Sequence, residues 1–313
     1  MLQCYELQNG RLQPSEQEKA SVWVYADPSE EERRYLIQEL ALDEHTLASA
    51  LDPDELSRVE FEPEHVAVIY KRPKNYSADD NFLFRVSSTG FYLFEDRVVI
   101  VLCGDAPIFD HSKNLSHIHN FSDLLLKLMQ RAIAQFNGHM KAINLIIDEL
   151  EKKLVASMGN KHLLNLFKLE QSMVYYLSAI SSNGTLIERL RTSARKIGFS
   201  AEQVEYLDDL IVDNTQSYKQ AEIISTIMAG MMDARASVVS NNLNILMKHL
   251  TILSLVFLPL NLIASMGGMS EFTEFAKALR LPVGVSYALF TIAMCVAGYV
   301  MYQLMIKAEP DDD

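Results

Sequence analysis

The sequence predicts an α+β cytosolic domain, then long helices, and finally two C-terminal transmembrane helices. Three observations lead to this fold class. Six of the nine prolines lie between Pro14 and Pro107, and none lies between Ile108 and Leu258, which favours a mixed region followed by helices. Two uncharged stretches follow, 250–270 and 281–306, each long enough to cross a bilayer, which takes about 20 residues.

The first domain, residues 1–118, alternates predicted strands with short helices. Runs rich in β-branched and aromatic residues, separated by Gly, Pro, Asn and Asp, predict strands at 21–25, 65–70, 82–86, 90–94 and 98–102. Ser29 followed by Glu32 is a capping box that predicts a helix through Leu40, and Asp43 is expected to cap a helix running towards Leu51.

Residues 119–242 have the period of helices. An amphipathic helix is predicted around 124–150, and a second from Leu163 that ends near Ser182-Asn183-Gly184. A third begins at a capping box, Ser200 with Gln203, and meets no proline before Pro259. At about 1.5 Å per residue, a helix from Ser200 to Met266 would be roughly 100 Å long. Because so long a helix cannot bury its apolar side alone, a symmetric homo-oligomer is expected.

Charge and cysteine usage exclude several classes of protein. The 28 Lys and Arg against 41 Asp and Glu give a net charge of −13, which opposes nucleic-acid binding and favours cations as partners. The three cysteines have no zinc-site spacing. No phosphate loop, HExxH or GxSxG motif is present, so we do not expect an enzyme or a tightly bound cofactor.

The predicted topology is a membrane hairpin. The spans are 243–270 and 281–306, and the loop 271–280 between them is too short to cross again, so the N-terminal domain and the acidic tail 307–313 lie on one side. Residues 1–13 do not resemble a signal peptide, so we expect that side to be the cytosol and the membrane to be the inner (plasma) membrane.

One face of the first span carries nearly all of its polar residues. Steps of three and four residues place on that face Asn244, Met247, Leu250, Thr251, Ser254, Leu258, Asn261 and Ser265. This pattern has two interpretations. The polar groups either hydrogen-bond between packed helices or form uncharged oxygen rings that line a pore for hydrated divalent ions, with Met247, Leu250 and Leu258 as apolar constrictions.

The first span and its surroundings resemble a known family. The runs Asn244-Ile-Leu-Met247, Phe257-Leu-Pro259-Leu-Asn-Leu and Gly268-Met269-Ser270, together with the order of domains along the whole chain, are similar to the CorA family of divalent-cation channels. The resemblance implies a funnel-shaped homopentamer in the lipid bilayer, with the first span lining the pore and the second span outside it.

The chain departs from this family at the outer mouth. CorA-like channels usually carry Gly-Met-Asn where this chain has Gly268, Met269 and Ser270, so a hydroxyl ring replaces an amide ring. The transported ion is therefore expected to be Mg²⁺ or a transition ion such as Zn²⁺, Co²⁺ or Ni²⁺, and a non-conducting membrane sensor or scaffold is the alternative. Glu271 and Glu274 either attract cations to the mouth or belong to a solvated acidic loop.

The resemblance also implies regulatory metal ions between subunits. Asp208, Asp209 and Asp213 lie where the family places acidic residues on its stalk helix. The alternative is an acidic cluster on the surface of the first turns of a helix.

Overall fold

The computed structural model describes residues 1–17, 19–77, 80–104, 118–156, 160–267, 274, 277–278 and 282–307. The chain divides into two compact units, residues 1–232 and 233–313.

A seven-stranded sheet organises the first unit, in the order β2-β1-β3-β7-β6-β5-β4. Its strands are β1 (Leu2–Gln8), β2 (Arg11–Pro14), β3 (Val22–Ala26), β4 (Arg58–Phe61), β5 (Val66–Pro73), β6 (Val86–Leu93) and β7 (Val98–Leu102). β3 and β7 pair in parallel, with Val24 opposite Ile100, and the other neighbours are antiparallel. β3 and β7 are buried along their whole length, as expected of strands covered on both faces.

Two short helices cover one face of the sheet: α1 (Glu30–Gln38) and α2 (Glu44–Leu51). Both predicted caps are confirmed. Ser29 and Glu32 form the capping box, and the Asp43 carboxylate accepts a hydrogen bond from the Thr46 N–H at 2.8 Å. Alternate strand residues such as Trp23 and Tyr92 point towards these helices and form the core of this face.

Long helices cover the other face. They are α3 (Phe121–Ala156), α4 (Asn160–Thr192) and the first part of α6 (Ala201–Gly267). The short helix α5 (Ala194–Ile197) connects α4 to α6. The predicted start of α6 is confirmed, because the Gln203 N–H donates to Ser200 Oγ at 3.2 Å and the Ser200 N–H donates to Gln203 Oε1 at 2.9 Å. Pro259 lies inside α6, as the sequence predicts.

The predicted end of α4 is wrong. Ser182, Asn183 and Gly184 lie within the helix, at positions that face other elements. The buried Asn183 accepts a hydrogen bond from the Lys71 N–H and donates one to the Lys71 carbonyl, both at 2.8 Å. A Cβ on Gly184 would lie 2.9 Å from Asn214 Nδ2, so glycine permits close packing against α6.

Two strand predictions are also corrected. Residues 82–85 lie outside the strands, and the predicted runs 82–86 and 90–94 are replaced by the single strand β6. Phe84 is buried instead against the long helices, where its N–H donates to Ser172 Oγ at 2.9 Å. β1, β2 and β4 were not predicted.

The second unit contains the end of α6 and α7 (Val283–Lys307). By length and composition, two helices of the described chain can cross a membrane, with mean hydropathies of 1.8 and 1.7 over their most apolar windows. Only 6% of each window is buried within the chain, which is typical of helices that face lipid or other subunits rather than a soluble core.

Candidate cation pathway

The predicted polar stripe lies on the exposed side of α6. Each of its residues is exposed in the single chain: Asn244, Met247, Leu250, Thr251, Ser254, Leu258, Asn261 and Ser265. In contrast, Val256 is 7% exposed. Val256 and Leu260 each lie two residues from Leu258, about 200° around the helix. The polar and the packed sides of α6 are therefore opposite one another.

α7 packs on the side away from the stripe. Gly298 of α7 approaches Leu260 so closely that a Cβ on this glycine would lie 2.9 Å from Leu260 Cδ1. A glycine at this point allows the two helices to approach closely, as small residues do in membrane helix pairs. This contact was not predicted from the sequence, although a glycine in the middle of an apolar helix is a signal for it.

Two hydroxyl groups of the stripe donate their protons to their own helix. Thr251 Oγ1 donates to the Met247 carbonyl at 2.8 Å, and Ser254 Oγ donates to the Leu250 carbonyl at 2.8 Å. Each hydroxyl oxygen therefore keeps its acceptor lone pairs available. Exposed hydroxyl oxygens with free lone pairs are suited to cations or to the water molecules around them.

The predicted mouth lies largely outside the described residues. Gly268, Met269, Ser270 and Glu271 are not among them. Glu274 is described and is exposed.

The three predicted regulatory acids have different environments. Asp208 is bound by Arg191 of α4: Arg191 Nη2 donates to Asp208 Oδ2 at 3.2 Å, and Nε donates to Oδ1. These hydrogen bonds lower the pKa of Asp208. Asp209 and Asp213 are exposed and lie one helical turn apart on a different side of α6. The partner Arg191 was not predictable from the sequence, because the pair joins two different helices.

The described part of a single chain holds no group of three or more His, Cys, Asp or Glu side chains placed to bind one metal ion. Asp209 and Asp213 could supply two carboxylates. A complete site would then need ligands from outside that part of the chain, for instance from another subunit.

The chain matches the family described as CorA-like Mg2+ transporter protein over residues 18–305. It therefore belongs to the CorA family. The match includes strands β3 to β7, the long helices and both apolar C-terminal helices. Proteins of this family are membrane transporters, which fits the two candidate spans.

Similar proteins support this assignment. The CorA-family chain is 25% identical to the "Magnesium transport protein CorA" of Haemophilus ducreyi, with 97% of this chain and 98% of that protein covered. It is 22% identical to the "Cobalt/magnesium transport protein CorA" of Methanocaldococcus jannaschii over 75% of each chain.

The fold is also that of a CorA protein. The solved structure of the CorA magnesium transporter from M. jannaschii has a TM-score of 0.74 to this chain at 19% identity, and 97% of this chain and 96% of that chain are covered. The predicted α/β domain, long helices and paired apolar helices at the C-terminus are therefore confirmed as the fold.

Proposed function

We propose that this chain is a divalent metal-cation channel of the inner (plasma) membrane, assembled as a homopentamer around a pore lined by the first span. The observation that carries the proposal is the polar stripe of α6, which is exposed and lies opposite the side on which α7 packs. In a ring of five copies, the stripes would face a common axis while α7 lies outside, towards lipid.

The stripe accounts for permeation without fixed charge. Rings of Thr251, Ser254 and Asn261 oxygens accept hydrogen bonds from the water shell of an ion, so a divalent cation can pass without being fully dehydrated. Carboxylates in place of these three side chains would bind the ion too tightly for it to leave. Leu258 would form an apolar constriction between the Ser254 and Asn261 rings, and Leu250 another beside the Thr251 ring, where loss of water would close the path.

The cargo is proposed from the relatives and from the mouth. The similar proteins bear the names of magnesium and cobalt/magnesium transporters, which supports Mg²⁺ or a transition ion such as Zn²⁺, Co²⁺ or Ni²⁺. Gly268, Met269 and Ser270 would form the outer mouth, with Glu271 and Glu274 drawing cations towards it. A serine hydroxyl on a shorter side chain contacts the hydration shell more loosely than the asparagine amide usual in the family.

Each segment of the chain has a proposed location and role. We assign 1–118 to a cytosolic α/β domain, 119–242 to a helical stalk region, 243–270 to the pore-lining span and 281–306 to the outer span. The loop 271–280 would lie outside the cell and the tail 307–313 in the cytosol. Regulatory divalent ions would bind between subunits at Asp209 and Asp213, whereas Asp208 has Arg191 as its partner.

Ion flux into liposomes tests this function. The purified full chain is reconstituted with a metal-sensitive dye inside the vesicles, and Mg²⁺, Zn²⁺, Co²⁺ and Ni²⁺ are supplied in parallel. We expect flux of at least one of them, and Ser270→Asn should shift the preference towards Mg²⁺. Pentamers that reconstitute but conduct none of the four ions would instead identify a non-conducting sensor or scaffold.

A further inference from the structure

The carboxyl ends of β3 and β7 lie side by side at one edge of the sheet, because these two strands pair in parallel. In α/β sheets, ligands bind beyond the carboxyl ends of parallel strands. Beyond Leu102, the end of β7, the chain turns at Cys103 and at Gly104, whose φ is +84°. We call Arg72, Lys74, Thr89 and Cys103, which surround this turn, the β7-end cluster.

Arg72 of β5 is a buried cation that pairs with no carboxylate of the described residues. The residue is 7% exposed. Its Nε donates to Thr89 Oγ1 at 3.0 Å and its Nη2 to the Cys103 carbonyl at 3.5 Å, which leaves Nη1 without an acceptor in the described part of the chain. A buried charge is costly unless an opposite charge compensates it.

The charges that act on Arg72 make this cost larger. Burial and the nearby Arg131 of α3 lower the pKa of Arg72. The Asp27 carboxylate, which follows β3, has other partners: its Oδ1 accepts a hydrogen bond from the Gly104 N–H at 2.9 Å. Burial and a hydrogen bond to Asp27 also raise the pKa of the Cys103 thiol. Asp27 therefore does not act as the counter-charge of Arg72.

Lys74 adds a positive charge on the open side of the cluster. It is exposed and forms no ion pair with any residue that the structure describes. Its Cε lies 3.9 Å from the position that a Cβ on Gly104 would take. In a chain with a net charge of −13, a local excess of cations at one turn indicates an anionic ligand.

We propose that the β7-end cluster binds a small oxyanion of the phosphate type, with Arg72 as its main ligand and Lys74 at the solvent side. A guanidinium presents parallel N–H donors that match two oxygens of such an anion, which chloride does not possess. Because Arg72 is almost fully buried, a free anion fits better than phosphate carried on a larger molecule. The site lies apart from the polar stripe of the first span and does not depend on the proposed channel.

Anion titration of the full chain in detergent, without divalent cations, tests the site. Sodium phosphate, compared with sodium chloride at equal ionic strength, should raise the melting temperature and give a saturable heat of binding with a dissociation constant at or below about 1 mM. Glucose 6-phosphate should bind more weakly than inorganic phosphate, and equally tight binding would overturn the restriction to a small anion. If phosphate stabilises the protein no more than chloride does, the site is refuted and Arg72 only links neighbouring strands.

Two substitutions locate the bound phosphate. Arg72→Lys keeps the charge but removes the paired donors, and it should weaken phosphate binding about tenfold or more. Lys74→Gln removes an exposed charge, which leaves the fold intact, and should weaken binding about threefold.

Arg195→Gln is the matched control, because Arg195 of α5 is exposed and forms no ion pair within the described chain. This variant should bind phosphate like the wild type. Unchanged phosphate binding in both Arg72→Lys and Lys74→Gln would place the anion elsewhere and overturn the proposal. If Arg72→Lys fails to fold, Lys74→Gln decides alone, and wild-type affinity in that variant refutes the site.

Discussion

Asn183 is the side chain that joins α4 to the edge of the sheet. Its amide pairs with both backbone groups of Lys71, beyond the point where β4 begins at Arg58, and its Oδ1 also accepts a hydrogen bond from Ser57 Oγ at 2.8 Å. The amide thus replaces the backbone partner that a longer β4 would have supplied.

Replacing Asn183 should therefore destabilise the first unit. Asn183→Ala leaves the buried N–H and carbonyl of Lys71 unpaired, and we expect a loss of about 2–4 kcal/mol in the free energy of unfolding. Thr185→Ala is the control, because Thr185 is exposed and bonds only within its own helix, and it should change the free energy by less than about 0.5 kcal/mol. Denaturant unfolding of the full chain in detergent measures both. Equal effects would show that the Asn183 contacts do not hold the sheet.

His65 makes the stability of the first unit dependent on pH. The ring is 4% exposed, lies against Tyr92 and Phe94, and neither ring nitrogen has a hydrogen-bond partner within the described structure. Burial lowers the pKa of His65, and nearby Glu62 and Glu64 oppose that shift only in part. The folded state therefore binds a proton at His65 less readily than the unfolded chain does.

The sign of the pH effect follows from this difference. Above the unfolded pKa of about 6.5 the ring is neutral in both states and adds no pH dependence to stability. As pH falls through 6.5, the unfolded chain gains a proton first and the free energy of unfolding decreases. We expect His65→Phe to reduce the slope of stability against pH between about 6.5 and 5. A thermal unfolding series with an unchanged slope in this variant would assign the pH dependence to other groups.

At the scale of elements, α2 and β6 pack closely because residue 90 is a glycine. A Cβ on Gly90 would lie 2.6 Å from the Cβ of Ala50 and 2.9 Å from Cε2 of Tyr92, so Gly90→Ala must push α2 away from the sheet. We expect a loss of about 1–3 kcal/mol in the free energy of unfolding.

Gly138 supplies the matched comparison. It lies within α3 and would meet nothing within 4 Å of a new Cβ. Gly138→Ala should therefore stabilise the protein by about 0.5–1 kcal/mol, because alanine has the higher helix propensity. Chemical denaturation of both variants tests the pair. If Gly90→Ala is as stable as the wild type, the close approach of α2 does not limit that position.

Helix starts were predictable because they depend on local chemistry. The caps at Ser29, Asp43 and Ser200 each need only a side-chain oxygen and a nearby N–H, and the structure confirms all three. The end of α4 was not predictable, because the residue types Ser182-Asn183-Gly184 are typical of a helix end. Their contacts with Ser57, Lys71 and Asn214, which explain them inside the helix, are distant in sequence. Strands β1, β2 and β4 have mixed polar and apolar residues and gave no clear alternation.

In the candidate site, too, some features were predictable from the sequence and others were not. The stripe on α6 was found from spacing alone, since exposure on one side of a helix follows from its period. The contact between Gly298 and Leu260 and the pairing of Asp208 with Arg191 join residues on different helices, so only the fold reveals them.

At the scale of the whole molecule, a net charge of −13 in each copy should make assembly sensitive to divalent cations. If Asp209 and Asp213 bind metal between subunits, Mg²⁺ or Zn²⁺ should raise the melting temperature of the wild-type protein. Asp209→Asn and Asp213→Asn should reduce that rise, whereas Asp208→Asn should leave it largely intact, because Arg191 occupies that carboxylate. A full metal-induced shift in the Asp209→Asn/Asp213→Asn variant would exclude this stalk site.

The pore itself is tested most directly by Asn261→Leu, with pentamer fraction and dye-reported flux measured on the same liposome preparation. Leucine removes an oxygen ring from the stripe, and dehydrating a divalent ion in an apolar constriction is prohibitive, so intact pentamers should lose flux. Ile263→Leu, an apolar exchange away from the stripe, should conduct like the wild type. If Asn261 serves only packing, its loss would weaken assembly by roughly 0.6–2 kcal/mol without altering conduction. Intact Asn261→Leu pentamers with wild-type flux would contradict a pore lined by the first span.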